Sequence, residues 1–139
     1  MSVIIPAIKY ENCSKAIDWL CDAFGFRIDF CVQGEGDRIE HAQLLLDQSM
    51  IMVGSTDCSE FGRLNTCPRH IEGHVTSSLY VVVSDVTEHC EIAVRRGAEV
   101  VIDLKMEDYG GASYTCRDIE GHIWTFGTYD PFASVDSQV

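Results

Sequence analysis

Hydrophobic and polar positions along this chain change period several times, and the same succession of periods occurs twice. Residues 2–9 form an apolar run that predicts a first strand. A helix follows over residues 13–24, with Asn12 suited to its N-cap and Ile17, Leu20, Cys21 and Phe24 recurring on one face. Gly25 stands where a helix-ending glycine belongs, and Phe26 is placed to fold back on the helix. Residues 26–32 then alternate, with Phe26, Ile28, Phe30 and Val32 on one side and Arg27, Asp29 and Cys31 on the other. Gly34-Glu-Gly-Asp37 is a turn, and residues 38–46 and 49–53 read as a hairpin across Asp47-Gln48. Gly34 and Gly36 do not make a dinucleotide fingerprint, because Ile39 stands where the third glycine would open a helix.

Residues 54–73 have neither period and read as a long connection, a kind of segment that is usually functional or a linker. The first pattern then recurs. Residues 77–83 are an apolar strand, and Asp85 with Glu88 makes a capping box. The helix it opens runs through residue 96, with Val86, Cys90, Ala93 and Val94 on its inner side, and Gly97 closes it as Gly25 closed the first. Residues 98–104 are a strand and 107–111 a turn. The last stretch, residues 114–129, is a hairpin turning at Asp118-Ile-Glu-Gly121. Beyond the turn His122, Trp124 and Phe126 point one way and call for a helix to cover them; Ile123, Thr125 and Gly127 point the other way, toward a cavity. Strand–helix–strand–strand–strand twice over is an internal duplication. It predicts an α+β fold of two tandem βαβββ modules, residues 1–55 and 75–131, with a connecting segment at 56–74 and a polar tail at 132–139. The strands form a curved mixed sheet, a cup, with the helices on its outer face.

Composition narrows the classes of function. Of 139 residues, 46% are hydrophobic and 23% charged, as in ordinary globular proteins, and the formal net charge is −12. Such a surface repels nucleic acid and anionic membranes, keeps a protein soluble, and permits a cationic ligand. The first residues have neither the basic region nor the apolar length of a signal or a span, so a cytoplasmic location is expected. Seven cysteines without a Cys-x-x-Cys pair favour reduced thiols over disulfides or zinc, and Cys21 and Cys90 read as core fillers.

The paired modules, Ala16-Ile-Asp-Trp-Leu with Gly25-Phe, the His41-Ala-Gln-Leu strand, the Tyr109-Gly turn and the Arg117-Asp-Ile-Glu-Gly-His-Ile-Trp hairpin together resemble the vicinal oxygen chelate superfamily. That group includes glyoxalase I, bleomycin-resistance proteins, fosfomycin-modifying enzymes and extradiol dioxygenases; the nearest likeness is to its small glyoxalase-like branch. The resemblance covers residues 3–131 and implies fold more than function. It implies metal ligands on the first and last strands of each module, which fall here near Ile5 and Ser78 and at Met52 and Thr125. An aliphatic chain, a thioether and neutral hydroxyls do not hold a hard divalent cation, so no metal and no cofactor is expected at these positions. Electrophilic catalysis of the glyoxalase or dioxygenase kind depends on that metal.

Five histidines are available. His70-x-x-x-His74 has zinc spacing only on a helix, and this segment contains Gly73, so both read as solvated. His89 falls on the outer face of the second helix, and His122 is expected under a helix beside Trp124. His41 differs: with Gln43 it forms a polar pair between Ile39 and Leu45, as on a ligand-cavity wall or an exposed edge. Arg117 suits a carboxylate or phosphonate clamp, or a local pair with Asp118 or Glu120. Two functions follow. One is a metal-independent binding protein in the manner of bleomycin-resistance proteins, holding an amphipathic or cationic small molecule against Gln43, Met52, Ser78, Tyr80, Tyr114, Arg117, Ile123 and Thr125, with Tyr109 nearby. The other is a glyoxalase-type lyase or isomerase with His41 as general base or a relocated metal. Either is expected to act as a homodimer, because an open sheet leaves an apolar face and edges to cover.

Overall fold

The computed structural model describes residues 1–108 and 110–136, the last three of these by backbone alone. Strand β1 (Ala7–Tyr10) leads to helix α1 (Cys13–Phe24), then to β2 (Arg27–Gln33), β3 (Ile39–Leu46) and β4 (Ser49–Ser55). After a connection with two short 3-10 turns, at Gly62–Leu64 and Pro68–Ile71, the order repeats: β5 (Leu79–Val82), α2 (Val86–Arg95), β6 (Glu99–Met106), β7 (Ala112–Arg117) and β8 (Ile123–Gly127). The described chain ends in a short helix, α3 (Pro131–Asp136), which begins at the last residue of the second module and runs into the segment expected to be a tail. Two four-stranded mixed sheets result, ordered β1-β4-β3-β2 and β5-β8-β7-β6. In each, the first strand lies parallel to the last and the other neighbours are antiparallel. No described helix is long and apolar enough to cross a membrane.

Local chemistry sets most of these boundaries. The Asn12 side chain accepts from Lys15 N at 3.2 Å, and Gly25 at φ +82 lets Gly25 N reach Cys21 O and Phe26 N reach Leu20 O. The bond from Gly25 to Cys21 is the αL type of helix ending, which needs a left-handed residue at the first non-helical position. Asp85 accepts from Glu88 N at 3.0 Å to open α2. The expected first strand shortens from residues 2–9 to Ala7–Tyr10, with Met52 N donating to Pro6 O and no donor on Pro6 to continue the ladder. The inner stripe of α2 is Val86, His89, Cys90 and Ala93, whereas Val94 is 50% exposed. Val94 was expected inside; a helix this short buries only one narrow i, i+3, i+4, i+7 stripe.

One core joins the modules. Phe24 at the end of α1 packs on Phe126 and Trp124 of the other sheet, at ring-centroid distances of 4.7 and 5.2 Å. Trp19 Nε1 donates to Arg96 O at 2.7 Å, so a side chain of the first module satisfies an orphan carbonyl at the end of α2. The β7–β8 turn supplies the firmest link. Buried Asp118 accepts from Tyr10 Oη at 2.6 Å, from Trp124 Nε1 at 3.0 Å, and from the backbone N–H groups of Glu120 and His122. Buried Glu120 reaches the other way and accepts from Glu11 N and Asn12 N at 2.7 and 2.9 Å, next to the start of α1. Gly121, at φ +94, closes the turn on Asp118 O.

Candidate functional site

Residues directly opposite in a sheet ladder share a face, and this rule sorts the side chains named above. In the first sheet, Phe30, Gln43, Met52 and Ala7 stand in one row, and Val32 pairs with His41 in the next. This face is turned away from the helices. Phe30 and Val32 are 52% and 41% exposed on it, whereas Ile28, expected on the same side of β2, stands opposite buried Leu44 on the other face. A register shift between Ile28 and Phe30 places Asp29 at an irregularity, close to the His41–Gln43 pair.

A short chain of hydrogen bonds crosses this apolar surface. Gln43 Nε2 donates to Asp29 Oδ2 at 3.2 Å, which turns Gln43 Oε1 toward His41 Nε2 at 3.0 Å. An amide oxygen only accepts, so the bond assigns the proton to Nε2 and leaves the lone pair of neutral His41 on Nδ1. The Phe30 ring lies 6.4 Å from the imidazole. Lys9, which the sequence reading passed over, belongs to this surface: it is opposite Gly54, its ammonium lies 5.7 Å from the Phe61 ring centroid, and it pairs with Asp57 at 3.5 Å. The alternation of Ala7 and Lys9 against buried Tyr10 is the signal that could have found it.

The second sheet presents a different set. Tyr80, Thr125 and Thr115 form one row, and Val82, Gly127 and Ser113 the next. Thr115 Oγ1 and Thr125 Oγ1 share a hydrogen bond of 2.8 Å, and Tyr80 Oη donates to Tyr129 O at 2.8 Å. Arg117 is paired across the ladder with Ile123, and Ser78 lies exposed just before β5. Arg117 forms no pair with Asp118 or Glu120, whose oxygens are committed elsewhere. Its Nη1 donates instead to Gly73 O at 2.7 Å and Gly121 O at 3.4 Å.

Several expected positions fall elsewhere. Tyr114 is not on either open face; it is fully buried opposite Phe126, and its hydroxyl meets His89 Nδ1 at 2.5 Å. His89 is therefore an inward residue rather than an outer one, 4.0 Å from the Phe126 ring, with Nε2 buried and unpartnered. Desolvation lowers its pKa below the usual histidine value. His122 packs not beneath a helix but against β1, edge-on to Tyr10 and with Nε2 at 3.0 Å from Lys9 O. His70, in a 3-10 turn, pairs with Glu11 at 2.5 Å, while His74 is exposed. Burial pushes the thiols of Cys13 and Cys116 up to about 12, so both are core fillers rather than nucleophiles. Tyr109 lies outside the described residues.

A model of the Glyoxalase/Bleomycin resistance protein/Dioxygenase superfamily matches residues 7–126. The chain belongs to that superfamily. TioX from Micromonospora sp. ML1 is 32% identical, with a TM-score of 0.71 over 91% of this chain and 94% of that one. FosX, a fosfomycin resistance protein from Listeria monocytogenes solved with Mn(II) and 1S,2S-dihydroxypropylphosphonic acid, shares the fold at 11% identity, with a TM-score of 0.70 over 99% and 98% of the two chains. The uncharacterized protein Rv0887c of Mycobacterium tuberculosis (strain ATCC 25618 / H37Rv) is 25% identical over 122 residues, 88% of this chain and 71% of its own.

Within this superfamily fold, the strand positions carried over for metal hold Ile5, Met52, Ser78 and Thr125. Met52 faces Gln43 and Ala7, and Thr125 spends its hydroxyl on Thr115. This donor set does not fit a hard divalent cation. Among the described residues, no three His, Cys, Asp or Glu side chains gather as a metal group elsewhere.

Proposed function

We propose that this superfamily member is a small-molecule-binding protein that takes an amphipathic or cationic ligand on its open sheet faces, without a metal at the strand positions. The observation that carries the reading is the face of the first sheet. There half-exposed Phe30 and Val32 flank a single oriented chain, Asp29–Gln43–His41. Apolar area with a few fixed polar groups is how ligand sites are built. We further propose a homodimer in which a second copy covers these faces, since exposed apolar surface of this kind marks an interaction site.

The same geometry supports an enzymatic second reading. Gln43 fixes the His41 tautomer so that Nδ1 is the basic nitrogen, as a lyase or isomerase using His41 as general base would require.

A thermal-shift screen of amphipathic cations and neutral aromatic compounds tests the binding reading. For any ligand found, His41→Ala is expected to weaken binding about tenfold while the unfolding free energy stays within about 0.5 kcal/mol of wild type. Undiminished affinity removes His41 from the site. Ligand consumed by wild type and not by His41→Gln would favour the enzyme. Light scattering should give twice the 15.5 kDa chain mass; a monomer rejects the dimer.

A further inference from the structure

A cavity of about 240 Å³ lies where the second sheet meets the connecting segment. It is bounded by Pro68, Arg69 and Gly73 of that segment, by Glu99 and Arg117 of β6 and β7, and by the turn at residues 118–121. Its charges are unequally committed. Asp118 accepts four hydrogen bonds, Glu120 accepts two, and Arg69 spends its two Nη groups on Glu11 and Ile119 O at 3.3 Å each. Arg117 and Glu99 are different. They are direct cross-strand partners, a placement that sets Cβ atoms about 5 Å apart and normally lets opposite charges meet. No ion pair forms between them, and among the described residues neither has an opposite charge within 4.0 Å. Two backbone carbonyls hold Arg117 by Nη1 alone, leaving Nε and Nη2 for another acceptor.

We propose that this cavity is a subsite for a zwitterionic head group, a carboxylate and an ammonium on one carbon, as in a free α-amino acid. The carboxylate is taken by the unspent donors of Arg117 and the ammonium by Glu99. The lining carries two guanidiniums and three carboxylates. A bare anion therefore meets a net negative wall and a bare cation meets Arg117, whereas a zwitterion satisfies both. Arg117 is paired with Ile123, so the ligand's apolar remainder passes onto the open face beside Thr125 and Tyr80. The inference rests on the reading that the open faces bind amphipathic molecules, and it names the head group such a molecule carries.

Four probes of one shape test it by NMR titration: phenylalanine, hydrocinnamate (no amine), phenethylamine (no carboxylate) and phenethyl alcohol (neither). Phenylalanine is expected to bind at least tenfold tighter than the other three. Arg117→Gln should bring phenylalanine down to the level of phenethylamine, with partial recovery in Arg117→Lys; Glu99→Gln should bring it down to hydrocinnamate. Equal binding of all four overturns the subsite and leaves the apolar-face reading standing. Binding of none overturns the amino-acid class. Undiminished phenylalanine affinity in Arg117→Gln or Glu99→Gln also overturns it. Should Arg117→Gln lose its native circular dichroism, Glu99→Gln carries the test, because Glu99 is exposed and its side chain forms no ion pair among the described residues.

Discussion

The two modules share a topology and differ most at their final hairpins. In the first, the β3–β4 connection is two residues, Asp47 and Gln48, both exposed, with Asp47 held at φ 51. In the second, the β7–β8 turn is buried and reaches back more than a hundred residues, to Tyr10, Glu11 and Asn12. One turn only reverses a strand. The other fastens the halves together and walls a cavity while doing so. Their open faces diverge in parallel: aromatic and aliphatic groups around His41 in the first, hydroxyls around Thr115, Thr125 and Tyr80 in the second. A duplication fixes the frame and leaves the turns and open faces free to take separate tasks.

Removing the fastener should have the largest effect. Asp118→Ala leaves the Tyr10 hydroxyl, the Trp124 N–H and two backbone N–H groups without acceptors, and should cost about 3–5 kcal/mol in urea unfolding. A loss under 1 kcal/mol would mean the modules hold together without it. A smaller effect should appear with pH. The folded pKa of His89 is lowered by burial, so below its unfolded value of 6.5 the unfolded chain binds a proton that the folded chain refuses. Stability is therefore fully present above pH 6.5 and falls progressively as the pH drops below it. His89→Gln should flatten that slope, and an unchanged slope would place the titration elsewhere. The smallest effect belongs to the outer turn: Asp47→Gly relieves a left-handed aspartate and should stabilise by about 0.5 kcal/mol or change nothing. Destabilisation beyond 1 kcal/mol would show that the two hairpins are less different than they look.

The repeat was legible because period and capping chemistry are local. Asn12, Gly25, Asp85 and Gly97 mark the helix ends, and alternation marks the strands. Orientation was harder. Tyr114 follows Phe126 into the core because the turn at 118–122 sets the register, and register is a property of the pair, not of either strand. His89 was read outward because it is polar, yet the i+3 position from Val86 lies inward, and Tyr114 gives its ring a partner there. Arg117 was legible as a candidate; its lack of an acid partner was not, since that depends on where Asp118 and Glu120 turn.

The bonds from Asp118 and Glu120 to residues 10–12 also bear on the order in which the molecule is made. A chain leaving the ribosome exposes β1, α1 and the first sheet long before residues 118–120 exist, and loop closure across that span is entropically slow. Until then Tyr10 and the first N–H groups before α1 have only water as partner, and Phe24 lacks the rings of Trp124 and Phe126. The first half of the chain thus gains its last partners only when the second half arrives, and its apolar surface stays uncovered until then.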